Sequence, residues 1–222
     1  MSGNSFFPGT GKGLFFMSNE EMEEFDCPWC GRGASLDITG CRFVLCPMSD
    51  RYIDIILDAV KKVDTQKVWN TTDKLSTIYR GKRVHVTDAA KACFVNAYQE
   101  NVHMVMEATF SKGCPGDTDA DSFLSEDDEL LNQKNIADKH FTVLCKFAFY
   151  PMGVDDYIRH IAHIANLAID RGVYLESSHY ATVLQGDIHA VFDYFNEVME
   201  YAEQNISHYI LEATLSVNSP TK

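Results

Sequence analysis

The chain has 222 residues, 45% hydrophobic and 23% charged, with a formal net charge of −13. That length supports one large or two small domains with a true core, and no apolar run approaches the ~18 residues of a membrane span. The acidic balance, with no basic cluster larger than Gly81-Lys82-Arg83, argues against nucleic-acid binding and favours cationic ligands.

Residues 1–38 read as an N-terminal arm. It carries Cys27-Pro28-Trp29-Cys30-Gly31, a spacing used by dithiol oxidoreductases and by half of a zinc knuckle. Cys41 and Cys46 are the candidates to complete four zinc ligands. Against redox catalysis, the pair lacks a preceding strand and a following helix. The arm shows no basic region followed by an apolar stretch, so no secretory signal is expected. The odd count of seven cysteines suits free thiols in a reducing, cytoplasmic setting.

After the arm, residues 41–48 alternate as a strand does, and residues 52–63 place apolar side chains at helical spacing. Residues 68–79, rich in Thr, Ile, Trp and Tyr, read as an extended strand or hairpin. A helix is expected over 87–101, capped by Thr87 or Asp88, and a strand over 103–111. An acidic, polar stretch follows at 116–135 and reads as a linker or surface loop. The same order then returns: strand 142–152, helix 156–170, strands from Val173, helix 189–205 and strand 208–217.

The two halves also match residue by residue. "RFVLCPM" at 42–48 corresponds to "KFAFYPM" at 146–152, an offset of 104. One inserted residue makes the offset 105, and "HMVMEATFS" at 103–111 then corresponds to "HYILEATLS" at 208–216. Thr77 corresponds to Thr182 and Gly81 to Gly186. A duplicated β-α-β(β)-α-β order predicts an α+β protein of two tandem ferredoxin-like domains with an N-terminal extension. The expected division is arm 1–38, repeat 39–118, linker 119–140 and repeat 141–222.

Strand alternation separates two faces in each final strand. Met104, Met106, Ala108 and Phe110, with Tyr209, Leu211, Ala213 and Leu215, should pack on helices. The opposite face carries His103, Glu107, Thr109 and Ser111, with identical residues at His208, Glu212, Thr214 and Ser216. This is either a solvated face or a polar ligand site, and a carboxylate flanked by hydroxyls suits a ligand rich in donors, such as an aminopyrimidine or a cation. Thr77 and Thr182 could point to the same side.

Enzyme signatures are absent. Gly9-Thr10-Gly11-Lys12-Gly13 has no strand-to-helix context, and no Gly-x-Ser-x-Gly occurs. His160, His163, His179 and His189 are metal ligands in principle, but His160 and His163 read as surface or packing residues. Asp117, Asp119 and Asp121 open like a calcium loop yet lack its glycine and closing glutamate. No metal site and no catalytic residue is assigned.

"YPM", "KVWNTTDKLSTIYRG", "EATFSKGCPGDT" and "LSVNSPT" together resemble the YkoF-like family of thiamine/hydroxymethylpyrimidine-binding proteins, from about Cys41 to the C-terminus. The resemblance implies tandem ferredoxin-like (ACT-like) domains in a homodimer. It also implies non-catalytic binding of thiamine, chiefly through its pyrimidine, with one site per repeat and no required cofactor. A role in vitamin uptake or salvage beside a transporter component follows from it too. Thr77, Glu107, Thr109 and Ser111 are then expected at one site, and Thr182, Glu212, Thr214 and Ser216 at the other. Cys46 and Tyr150 take equivalent first-strand positions. The family pattern has tyrosine at both, so Cys46 predicts unequal sites. The rival readings are an amino-acid regulatory module and a zinc or thiol function of the arm.

Overall fold

The computed structural model describes residues 35–113 and 118–221. Cys27 and Cys30 lie outside the described residues. The first repeat consists of β1 (Thr39–Pro47), α1 (Tyr52–Lys61), β2 (Trp69–Thr72), β3 (Thr77–Gly81), α2 (Arg83–Ala97) and β4 (Met104–Lys112). A 3-10 turn (Asp121–Ser125) and the short α3 (Gln133–Ile136) lie between the repeats. The second repeat consists of β5 (Thr142–Met152), α4 (Tyr157–Asp170), β6 (Tyr174–Ser178), β7 (Ala181–Asp187), α5 (Ile188–Asn205) and β8 (His208–Val217).

All eight strands form one antiparallel sheet in the order β2-β3-β1-β4-β8-β5-β7-β6. This is the α+β architecture of two ferredoxin-like repeats, joined edge to edge through β4 and β8. Ala108 pairs with Ala213 at this seam. The two alanines are also repeat counterparts, 105 residues apart, so the pseudo-twofold axis passes between them. Polar residues of β4 beside the axis are therefore paired directly with polar residues of β8, Glu107 with Thr214 and Thr109 with Glu212.

One sheet face is covered by helices and the other is open. Met104, Met106, Ala108 and Phe110 of β4 are buried, as are Tyr209, Leu211, Ala213 and Leu215 of β8. The intervening Glu107, Glu212 and Thr214 are exposed. The period of two thus sorts each strand into a core side and a solvent side. Helices α1 and α4 bury only one stripe each, whereas α2 is buried nearly all round. It packs against β1, β3, α1 and α5, so the two repeats share a helix layer as well as a sheet.

Helix α2 starts at Arg83, four residues before the expected start, because Lys82 is its extended N-cap. Thr87 and Asp88 are not caps. The Thr87 hydroxyl donates to the Arg83 carbonyl, and Asp88 is buried, accepting from the backbone N–H and side-chain amide of Asn132 at 3.0 and 2.9 Å. Asn132 also accepts from Asp64 N–H at 2.7 Å. The connecting segment is consequently docked onto the first repeat, with Ala120, Asn132 and Ile136 buried. Its acidic run meets a basic surface: Lys67 pairs with Asp127 and Lys82 with Asp128. Such exposed pairs each contribute at most about 1 kcal/mol, so the buried Asp88–Asn132 pair anchors the segment more firmly. Among the described residues, no helix is long and apolar enough to cross a membrane.

Candidate functional site

A hollow of about 690 Å³ opens on the helix-free face. Its floor is the β4–β8 seam, where Glu107 pairs with Thr214 and Thr109 with Glu212. Arg42 of β1 and Ile78 of β3 form the wall on the first-repeat side, and the β2–β3 turn supplies the rim. That turn is organised by Asp73, whose Oδ1 accepts from the backbone N–H groups of Leu75 and Ser76, both at 2.7 Å. These bonds hold the Asp73 carboxyl below its ordinary range. They also set Leu75 at the mouth, 84% exposed. Three carboxylates (Asp73, Glu107, Glu212) face one guanidinium (Arg42) across the hollow, so its field favours a cation.

Glu107, Thr109, Glu212 and Thr214 all line this hollow, so residues expected at two separate sites are interleaved across the axis. Ser111 and Ser216 lie further along the same face, and Ser216 Oγ is within 3.2 Å of His103 Nε2. The expectation for Thr77 and Thr182 is corrected by register. Thr77 pairs with Phe43 and Thr182 with Phe147, both core residues, and directly opposed residues share a face. The two threonines therefore point toward the helix layer. Thr77 Oγ1 lies 3.0 Å from Thr72 Oγ1. Arg42, Asp73 and Ser76 were not foreseen. Alternation along β1 from Cys46 back to Arg42 carried a signal for the first, but nothing local marked the turn residues.

Cys46 and Tyr150 confirm their equivalence in placement but behave differently. Tyr150 donates to Glu212 Oε2 at 3.2 Å, and its hydroxyl titrates above its ordinary value through desolvation and the Glu212 charge. Cys46 is exposed on the open face, and desolvation followed by the Glu107 charge raises its thiol. The Glu212 carboxylate is thus capped by a phenol, whereas the equivalent first-strand position beside Glu107 holds a thiol. Cys41 is wholly buried on the core face. Since Cys41 and Cys46 lie on opposite sides of one strand, they cannot complete a single zinc site with the arm's cysteines. His160 and His163 pack on Tyr201, with His160 Nδ1 2.9 Å from the Tyr201 hydroxyl and the His163 ring stacked at 4.1 Å.

A measurable consequence concerns Cys46. A raised thiol pKa means less thiolate at a given pH, so iodoacetamide should label Cys46 more slowly at pH 8 than an unperturbed cysteine. Glu107→Gln removes one of the two raising influences and should speed labelling several-fold, as read by mass spectrometry of the Cys46 peptide. An unchanged rate would show that the two side chains do not interact.

The "YKOF-related Family" sequence model matches the chain twice, over residues 38–117 and 142–222. The chain belongs to the YkoF-related family. It is 43% identical over 185 residues to the "Putative HMP/thiamine-binding protein YkoF" of Bacillus subtilis (strain 168), an alignment covering 83% of this chain and 92% of that protein. Both family segments coincide with the structural repeats, which places the β4–β8 seam at the junction of two family units.

Proposed function

We propose that this protein binds thiamine or its hydroxymethylpyrimidine moiety on the open sheet face, without catalysis, at one site per repeat. The carrying observation is the duplicated Glu-x-Thr set, Glu107/Thr109 and Glu212/Thr214, at the floor of an acidic hollow. A glutamate can accept from the exocyclic amine or hold a protonated ring nitrogen, and the threonine hydroxyls serve either sense. The positive thiazolium ring suits the excess of carboxylates. Leu75 and its repeat counterpart Tyr180, 98% exposed, sit at equivalent turns and offer apolar lips for two flat rings. The name of the Bacillus subtilis relative supports the same ligand class.

The proposal extends to a cytoplasmic role in uptake or salvage of the vitamin, alongside a transporter component. It also includes a homodimer, for which the exposed Leu75, Leu144 and Tyr150 on the open face provide apolar surface to bury. Calorimetric titration of the full chain with thiamine, hydroxymethylpyrimidine and a panel of amino acids tests the reading. Two binding events for the pyrimidine-containing ligands are expected. Absence of heat with thiamine at millimolar concentration, or a preference for an amino acid, would sink it.

A further inference from the structure

Outside the lining of the hollow, at the corner where β7 passes into α5, three side chains converge. Asp187 ends β7 and caps α5, its Oδ1 accepting from His189 N–H at 3.0 Å. Its Oδ2 lies 3.0 Å from Nδ1 of His140, which comes from the segment entering β5. The two imidazole rings are 5.0 Å apart between centroids. One ligand atom from each of His140, Asp187 and His189 lies within 4.8 Å of the others.

The protonation pattern of His189 is fixed by its surroundings. Its Nε2 lies 3.1 Å from the Lys139 carbonyl oxygen, which can only accept, so Nε2 carries the hydrogen. In the neutral ring Nδ1 is then left with a lone pair. It is shut off from solvent and has no hydrogen-bond partner. A buried lone pair without a donor is unfavourable, and an electron-pair acceptor would satisfy it. The arrangement is that of a metal-binding histidine: one nitrogen aimed at the ion, the other donating to a backbone carbonyl that locks the ring.

We propose that His140, Asp187 and His189 form a binding site for one divalent transition-metal ion of the zinc class. The ligands are Nδ1 of each histidine and a carboxylate oxygen of Asp187. Two imidazoles and one carboxylate suit such an ion better than calcium or magnesium, which take oxygen ligands. Tetrahedral ligands at about 2.0–2.2 Å from zinc sit ~3.4 Å apart, so the site must tighten. His140, 63% exposed at its side chain, is free to swing inward and leaves the fourth position to water. The positive end of α5 opposes a cation there, and the Asp187 charge offsets it.

The first repeat closes the equivalent corner differently. Its counterpart of Asp187, 105 residues earlier, is Lys82, and Val84 stands where His189 does. The Lys82 ammonium bonds the Glu126 carbonyl and reaches Asp128 at 3.0 Å, fastening the connecting segment to the start of α2. The first repeat supplies its own cation. The second presents a carboxylate and two imidazoles and binds a cation from solution, fastening the entry of β5 to α5.

The test uses metal-free full-length protein carrying Cys27→Ser and Cys30→Ser, so that the arm's thiols do not contribute. Cobalt(II) titration should saturate at one equivalent, with visible d–d bands and no thiolate charge-transfer band. Zinc competition against a chromogenic chelator should show His140→Gln and His189→Gln weakening binding by more than the ~10–100-fold that loss of an outer-shell partner causes. Because His140 is exposed, its variant should keep the metal-free thermal midpoint, which separates ligand loss from misfolding. Less than one equivalent bound, or an affinity in His140→Gln within about threefold of its parent, would overturn the proposal.

Discussion

Glu107→Gln is expected to weaken the tighter of two thiamine-binding steps by roughly 10–100-fold. A hydrogen bond to a charged partner contributes about 1.5–3 kcal/mol net, and each 1.4 kcal/mol is a factor of ten in affinity. Glutamine keeps the size and one acceptor but removes the charge. Glu212→Gln should cost less, because the Glu212 carboxylate already accepts from Tyr150 and a ligand must share or displace that bond. The seam adds a further expectation. Glu107 faces Thr214 and Glu212 faces Thr109, so each repeat's carboxylate stands beside the other repeat's hydroxyl. Neutralising one glutamate lowers the anionic field at both positions, and the second step should weaken too, by a smaller factor. Two-site calorimetry with thiamine and with hydroxymethylpyrimidine reads both effects. If each variant alters a single step and leaves the other within twofold, the pockets are independent. If neither step changes, the hollow is not the ligand site.

Much of this arrangement could be read from the chain because it depends on period and repetition. Strands β5 and β8 run over the expected residues, and the buried partners Met104, Met106 and Phe110 follow from alternation alone. What escaped depends on contacts distant in sequence. Asp88 looked like a helix cap because aspartate beside threonine is the usual local signal. Its true partner, Asn132, arrives from a connecting segment 44 residues away. Thr77 and Thr182 were matched in both repeats, but their facing is set by pairing with Phe43 and Phe147 across the sheet. The two polar sets looked like two sites because they belong to two repeats. Only the antiparallel seam, with Ala108 opposite Ala213, brings them onto one axis. Asp187 and His189 stand two residues apart, but His140 carried no recognisable spacing with them, because β5, α4, β6 and β7 intervene.

Phe195→Ala should be the most damaging single change to the fold, at about 3–5 kcal/mol. The side chain is fully buried on α5 and touches both repeats. Its ring lies 6.3 Å from Phe110 on β4 of the first repeat and stacks on Phe147 of β5 at 5.9 Å, with Phe192 at 5.3 Å. Truncation leaves a void beneath the seam. The strands under it are tied into a continuous ladder through β4, β8 and β5, so they cannot collapse to fill the space. For a chain of this size the loss corresponds to a fall in thermal midpoint of roughly 6–20 °C. The shape of the transition carries separate information. Shared sheet and shared helix layer predict one cooperative unfolding step in the parent protein and in the variant, by calorimetry and by far-ultraviolet dichroism alike. A variant that melts in two steps would mean that Phe195 couples repeats able to stand alone. A loss under 1 kcal/mol would mean that the seam is held by its backbone ladder and not by the aromatic cluster beneath it.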